Sequence, residues 1–253
     1  MLRLSTFVLL FAFSAVARAE WKALSVNSEP GSADIEHRHV TLEETAAAQR
    51  ADVDVAVFSD KSCTLRVIDN PDDETLAGMM KRDKCACGVN GGYFDENFAP
   101  IGLRIVNERT IAPLRRARLI TGVLLASPRG VHILRTSEFS ARQKITAAIQ
   151  CGPFLVDSSH SVRGLNASAA ARRTFAATAA SGRILLGISS EISLAKLADM
   201  LATAPVAGDS KIQRAINFDG GSSTAFWFAR ENGSAFSVPE QKRVRDFVAV
   251  VPK

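Results

Sequence analysis

The chain has no internal repeat and no low-complexity tract. Beyond its N-terminal stretch, no apolar run approaches the roughly 20 residues that a helix needs to cross a bilayer. It holds only 4 Cys and 4 His in 253 residues, and none of them falls at C-x-x-C redox spacing or at the ligand spacing of a zinc site. No G-x-S-x-G is present: Gly220-Gly-Ser-Ser-Thr224 lacks the second flanking glycine of a nucleophile elbow. No helix-turn-helix or finger spacing surrounds Leu114-Arg-Arg-Ala-Arg118, the densest basic cluster. Nucleic acid is therefore not an expected partner, and the cluster reads as a solvated loop beside a strand or as a local anion site. Disorder is excluded by a composition that is 47% hydrophobic and 23% charged.

What is present begins with a leader. Arg3 precedes the apolar run from Leu4 to Val16, and Ala17-Arg-Ala19 closes it with small residues flanking the cut. A positive start, roughly 7–15 apolar residues and an A-x-A end describe a secretory signal peptide over residues 1–19. The mature chain is then expected in an exported compartment, periplasmic or secreted, with no membrane span. Removing the leader takes Arg3 and Arg18 from the net charge of +5, so the working protein is less basic than the whole sequence. An oxidising compartment suits at least one disulfide among Cys63, Cys85, Cys87 and Cys151, with one of Cys85 and Cys87 joined to Cys151. The pairing is not fixed by the sequence. Cys85 and Cys87 should not pair with each other, because alternate residues of a strand point the same way.

Residues 20–50 read as a polar, partly extended lead-in containing the close pair His37 and His39, and residues 51–253 as one domain. Thr41-Leu-Glu-Glu44 has capping-box spacing and predicts a short helix. Strands are expected at Val53–Phe58, Leu65–Ile68, Ile101–Val106, Gly122–Ala126, Val131–Leu134, Ile145–Ile149, Thr174–Ala179, Ile184–Ile188, Ala215–Phe218, Ala225–Phe228 and Phe247–Val251. Helices are expected from the acidic start at Pro71-Asp-Asp-Glu74 to about Lys84, and after the N-cap Ser193. Asn166–Ala171 reads as a loop. Many strands with few helices give an α+β fold: a single domain on a large mixed or antiparallel sheet with a few covering helices.

Three segments interrupt the strand pattern: Asn90-Gly-Gly-Tyr-Phe-Asp95, the pair Cys151-Gly-Pro-Phe-Leu155 and Ala171-Arg-Arg-Thr-Phe175, and Asn217-Phe-Asp-Gly-Gly-Ser-Ser-Thr224. Paired glycines at strand ends allow positive φ and close approach of a ligand, and their N–H groups can form an anion nest. Each segment alone is an ordinary turn. In this order they resemble the phosphodiester glycosidase family, and the similarity runs from about Val53 to Val251. Family members often carry three glycines after the Asp, whereas here Ser222 follows Gly221 directly.

The resemblance implies hydrolysis of a sugar-1-phosphodiester at the linkage between anomeric carbon and phosphate. The partner would be a glycan or sugar phosphodiester. A phosphate monoester leaves easily, so cations and donors that hold it matter more than a general acid. On that basis Asp219 is the candidate nucleophile or base, Arg173 the phosphate clamp and Arg172 a second cation. Asn90 and Ser222 would orient substrate oxygens, and Gly220 and Gly221 would hold an oxyanion. Gly91, Gly92, Gly152, Thr174 and Ser223 line the same segments, and Asp95 is the second carboxylate near them. No cofactor and no metal are expected, although a structural Ca²⁺ held by Asp219, Asn90 and carbonyls stays open. Other readings also stand: a serine hydrolase using Ser222 or Ser223 with one of His37, His39, His132 or His160, and a metal at His37 and His39. A third is a non-catalytic carbohydrate-binding or envelope polysaccharide assembly protein that stacks sugars on Trp227, Phe226 or Trp21.

Overall fold

The structure is a computed structural model that describes residues 20–46 and 48–253. The expected signal peptide lies outside the described residues. The described residues form three sheets in which every strand pair is antiparallel, with two α-helices, Leu76–Arg82 and Leu194–Thr203. This is an α+β domain dominated by strand. The largest sheet has eight strands, in the order Trp21–Pro30, Glu36–Glu44, Gln49–Ser59, Arg183–Ile192, Ala171–Ala179, Ile212–Asn217, Phe154–Asp157 and His160–Ser161. A second sheet orders Arg109–Ala112, Arg104–Val106, Ala147–Cys151, Gly122–Ser127 and Gly130–Arg135. The third orders Ala235–Val238, Phe226–Ala229, Cys87–Asn90, Asp246–Pro252 and Cys63–Asp69.

Period-two alternation explains the layering. In the Gln49–Ser59 strand, Val53, Val55 and Val57 enter the cluster beneath the Leu194–Thr203 helix, while Ala56 and Phe58 face the opposite way. Inner residues from all three sheets, among them Phe58, Leu124, Ile149, Phe226 and Val248, make one central core. The Leu76–Arg82 helix covers the outer face of the third sheet through Leu76, Met79 and Met80. Ser193 caps its helix as expected, its hydroxyl accepting from Lys196 N at 3.3 Å. The other helix starts later than Pro71, at the Thr75 cap, because Asn70 holds the preceding turn by hydrogen bonds with both the N–H and the carbonyl of Glu74.

Three expectations are corrected. The capping-box spacing at Thr41–Glu44 does not start a helix: Val40 and Leu42 are buried between half-exposed neighbours, and this alternation places them within the Glu36–Glu44 strand. The residues expected as a lead-in thus contribute two full strands of the largest sheet. The cysteines do not pair: all four are free and buried. Cys63, Cys87 and Cys151 fill the central core, whereas Cys85 precedes its strand and packs in the cluster behind the third sheet. Burial pushes the Cys85 thiol up to about 11 and the Cys151 thiol up to about 12, so both behave as small apolar fillers.

His37 and His39 form a carboxylate cluster. His37 is buried, with Nδ1 2.8 Å from Glu29 Oε1 and Nε2 3.0 Å from Asp54 Oδ1, and His39 Nδ1 lies 2.9 Å from the same Asp54 oxygen. Burial opposes the charge on Asp54, but hydrogen bonds from both histidines hold its carboxyl below the usual range. The His37 ring also stacks on Phe236 at 4.6 Å, which ties the largest sheet to the third.

A second polar contact crosses between sheets, joining Arg104 of the second to Asp246 of the third. Arg104 is 0% exposed and Asp246 1%, and Arg104 Nε donates to Asp246 Oδ2 at 2.7 Å. Nη1 donates to the carbonyls of Leu103 and Gln150, both at 3.0 Å, and Nη2 to that of Tyr93 at 3.3 Å. Asp246→Ala leaves this guanidinium buried without its counter-ion and should lower unfolding free energy by about 3–5 kcal/mol. Urea unfolding followed by circular dichroism measures it; a loss below about 1 kcal/mol, the scale of a surface pair, contradicts the assignment.

Candidate active site

The three unusual segments are the places where the chain leaves one sheet for another. Asn90 ends a strand of the third sheet, and the chain re-enters the second at Arg104. Cys151 ends a strand of the second sheet, and a cis Gly152–Pro153 bond leads into Phe154 of the largest. Asn217 ends a strand of the largest sheet, and Phe226 opens one in the third. Crossovers between the same three sheets meet at their junction, and this brings residues far apart in sequence together.

Asn90 is the hub and is fully buried. Its Nδ2 donates to the Asp219 carbonyl at 2.8 Å, and its Oδ1 accepts from Thr174 Oγ1 at 2.6 Å and from Ala225 N at 3.0 Å. One side chain thus bridges all three segments, but it does not face a substrate. The expectation that Asn90 orients substrate oxygens is corrected to a positioning role. The same bonds occupy the oxygen that a Ca²⁺ would have needed, so these residues do not fit that ion as proposed.

Gly91 and Gly92 are also turned inward. Both N–H groups donate to Asp246, Gly91 to its carbonyl and Gly92 to Oδ1, each at 2.8 Å. The anion in this nest is the protein's own carboxylate. A Cβ on Gly91 would stand 1.9 Å from Asp246 Oδ1, and one on Gly92 2.0 Å from Arg104 Nη2. Glycine is required here so that the backbone can approach the ion pair. The Gly91 carbonyl then accepts the Asp219 N–H at 3.1 Å, which passes the constraint to the third segment.

Asp219 is half-buried, with Oδ1 accepting from Gly220 N at 3.0 Å. Burial raises its carboxyl above the ordinary value of 3.8, reinforced by the charge of Asp246 and opposed by Ser223, Lys242 and Gly220 N–H. The Gly220 N–H is therefore engaged and is not free for an oxyanion. Gly221, at φ +63, opens a single 3₁₀ turn over Gly221–Ser223, and the N–H groups of Gly221 and Ser222 find no acceptor among the described residues. The Ser222 carbonyl accepts from Gln241 N at 2.7 Å, which docks the Lys242 loop against this turn. Asp219 therefore has a cation on the side of that loop.

On the other side lies the Ala171–Ala179 strand, bulged against Arg183–Ile192 between Ala171 and Arg173. Arg172 Nε donates to the Gly221 carbonyl at 3.2 Å, while its Nη2 is buried without a partner. Arg173 lies against Gly220, but Nε and Nη2 already donate to the carbonyls of Ile192 at 2.9 Å and Ala169 at 2.6 Å. The planar fork expected to take two phosphate oxygens is thus half occupied, with Nη1 left over. Partial burial lowers the Arg173 pKa from its ordinary value. Thr174 is buried and bonded to Asn90, so it too supports the site from behind.

Asp95 does not join the group: it is exposed, and its Oδ1 accepts from Asn97 N and Ala99 N in its own loop. Gly152 contributes its carbonyl, which accepts from Tyr93 Oη at 2.8 Å, and Asn217 Nδ2 donates to the same Oη at 3.0 Å. Burial, with the charge of Asp219 among its lesser causes, pushes the Tyr93 hydroxyl well above its usual range. Arg172 Nη2, Asn217 Oδ1 and Thr224 Oγ1, on the segments that carry the site, are buried and lack a partner among the described residues. Unpaired buried donors and acceptors are costly unless something else satisfies them.

Tyr93, Arg104, Asn217, Lys242 and Asp246 had no role in the sequence reading. Arg104 and Asp246 did leave a trace, as lone charges inside the apolar runs Leu103–Val106 and Asp246–Val251. His37, His39 and His160 do not serve Ser222 or Ser223 here: His37 and His39 pair with Glu29 and Asp54, and the exposed His160 bonds the Ser158 carbonyl, while His132 is exposed on the Gly130–Arg135 strand of the second sheet, opposite Leu125. Trp21, Phe226 and Trp227 are buried and offer no stacking face to a sugar.

Comparison with known proteins gives the family and the fold. The family model described as phosphodiester glycosidase matches residues 83–251, and the chain belongs to that family. Uncharacterized protein YigE of Escherichia coli (strain K12) is 30% identical over 89 residues, a stretch covering 32% of this chain and 35% of that protein. The fold is shared with the zebrafish N-acetylglucosamine-1-phosphodiester alpha-N-acetylglucosaminidase catalytic domain auto-inhibited by its pro-peptide. That match has a TM-score of 0.64 at 14% identity and covers 95% of this chain and 85% of the other. A hypothetical protein from Synechocystis matches with the same score and identity over 93% of this chain and 68% of its own.

If Asn90 is the frame of the site, Asn90→Ala strands Thr174 Oγ1, Ala225 N–H and the Asp219 carbonyl at once. Unfolding free energy should fall by about 2–4 kcal/mol. A variant of unchanged stability in thermal or urea unfolding contradicts the bridging role.

Proposed function

We propose that the protein is an exported hydrolase that cleaves a sugar-1-phosphodiester, adding water across the bond between the anomeric position and phosphate to yield a free sugar and a phosphate monoester. The observation that carries this reading is the half-buried Asp219 carboxylate, which feels the charge of Lys242 from the docked loop and is followed by a glycine turn against which Arg172 and Arg173 lie. A single carboxylate with cations on the neighbouring strand and loop suits a substrate whose leaving group is itself an anion. Ordinary glycosidases instead need a second carboxylate as acid, and Asp95 is turned away from that task. In this reading Arg173 Nη1, Arg172 and Lys242 hold the phosphate, and Asp219 acts as nucleophile or base. The Gly221 and Ser222 N–H groups take up substrate oxygens, while Ser223 and Thr224 are fully buried and back the turn instead of facing a substrate. Export rests on the N-terminal sequence. Among the described residues no helix is long and apolar enough to cross a membrane.

Incubation with a panel of α- and β-hexose-1-phosphodiesters tests the proposal, with Asp219→Asn and Arg173→Ala run beside the parent and folding checked by circular dichroism. Asp219→Asn should lose about 10²–10⁴-fold in kcat. Arg173→Ala should lose mainly in kcat/KM. Turnover surviving in folded Asp219→Asn would move the chemistry to another group. The pH profile follows from the raised carboxyl: Asp219 must be ionised to act, so kcat/KM should fall on the acid side through a midpoint above 3.8. An acid limb at or below that value contradicts the assignment.

A further inference from the structure

Beside this site the chain carries a surface that its hydrolytic chemistry does not use. Pro113–Leu119 is an unbroken exposed run between the Arg109–Ala112 and Gly122–Ser127 strands. It is not a loose loop. The buried Gln150 side chain accepts from Arg115 N at 2.9 Å and donates to the carbonyls of Arg115 and Ile120, the latter at 2.9 Å. Thr121 fixes the far end, its Oγ1 accepting from Phe154 N at 3.0 Å. A buried side chain that holds an exposed loop at both ends gives the loop a fixed shape without burying its own side chains.

Those side chains have a definite character. Arg115, Arg116 and Arg118 make no ion pair and no side-chain hydrogen bond among the described residues. Leu119 is 67% exposed, Leu114 37%, and Ile111 on the adjoining strand 44%. These are three of the five large apolar side chains exposed among the described residues. Unpaired arginines alone would suit any polyanion, whether soluble or on a surface. Apolar residues interleaved with them gain nothing from a soluble polyanion, but they can enter the boundary between lipid headgroups and acyl chains while the guanidinium groups meet anionic headgroups.

We infer that Ile111 and Pro113–Leu119 form a docking surface for an anionic lipid bilayer, a peripheral contact and not a span. Its position gives the contact a consequence. The Leu119 carbonyl lies against Gly152, whose own carbonyl holds Tyr93 at the edge of the Asp219 site. Docking through this loop brings the site to the bilayer surface, where a substrate borne on that surface is within reach.

Vesicle co-sedimentation without any substrate tests this independently of the hydrolase reading. The probes are vesicles of phosphatidylcholine alone and of phosphatidylcholine mixed with phosphatidylglycerol, at low and high salt. The parent should bind the anionic vesicles and not the neutral ones. Replacing Arg115, Arg116 and Arg118 together with Gln should weaken binding about 100-fold at low salt. Leu114→Ser with Leu119→Ser should weaken it about tenfold or more, most visibly at high salt, where charge attraction is screened. All three positions and both leucines are exposed, so the variants should fold, and circular dichroism checks it. Failure of the parent to bind anionic vesicles overturns the inference. So does binding that is indifferent to the leucine changes and competed away by soluble polyphosphate, which would make the loop a polyanion site. Loss of hydrolysis with vesicle binding intact would count against the Asp219 reading alone.

Discussion

The arrangement of this molecule depends on a buried ion pair, Arg104 with Asp246, set where two sheets meet and a third approaches. Two charges taken from water are costly, and their attraction offsets the cost only when the remaining donors and acceptors are satisfied. Here they are: Arg104 reaches Asp246, Leu103, Gln150 and Tyr93, and the other Asp246 oxygen accepts from Gly92. The pair thereby fixes the course of the backbone from Gly91 to Tyr93. Only glycine can follow that course, since a side chain at either of the first two positions would collide with the pair.

From this anchor the site is built outward. The Gly91 carbonyl holds Asp219 N–H, and Asn90 holds the Asp219 carbonyl, Thr174 and the entry to the Phe226–Ala229 strand. The residues nearest the ion pair are thus a frame and are buried. Those farther out, Asp219, Ser222, Arg172 and Arg173, are partly exposed and left with unspent hydrogen-bonding capacity. A carboxylate on a rigid mount can sit half-buried beside cations without relaxing toward them, which is the preorganisation that electrostatic catalysis requires. Family membership places the chain among phosphodiester glycosidases, and the frame explains why the glycine-rich crossovers sit where they do.

Much of the fold could be read from alternation. The Gln49–Ser59 and Arg183–Ile192 strands are obvious because each buries one face on the central core and the other beneath a helix. Trp21–Pro30 is not, because most of its residues are exposed at the sheet edge and no apolar period marks them. At Thr41–Glu44 a helix-start pattern and a strand pattern overlap, and burial of Val40 and Leu42 decides between them. The site was legible as three unusual segments but not as a division of labour. Nothing local distinguishes Asn90, which is fully buried and bonded on all sides, from Asp219, which is half-exposed. Their roles follow from contacts 129 residues apart, and the ion pair beneath them joins residues 142 apart. The reading of Cys151 as a bridgehead failed for a related reason. The number of cysteines and an expected compartment suggest a bridge, but the second and third sheets send Cys63, Cys87 and Cys151 into the central core as apolar filler, and Cys85 packs behind the third sheet.

The central claim is that the ion-pair frame holds Asp219 in a half-buried setting that raises its proton affinity. A carboxyl ¹³C titration of Asp219 in the folded protein and in Asp246→Asn measures this without knowledge of the substrate. The account predicts a midpoint above 3.8 in the parent and a lower one in the variant, since removing the Asp246 charge removes one of the influences that raise it. A parent midpoint at or below 3.8 that does not move when Asp246 is neutralised would contradict it.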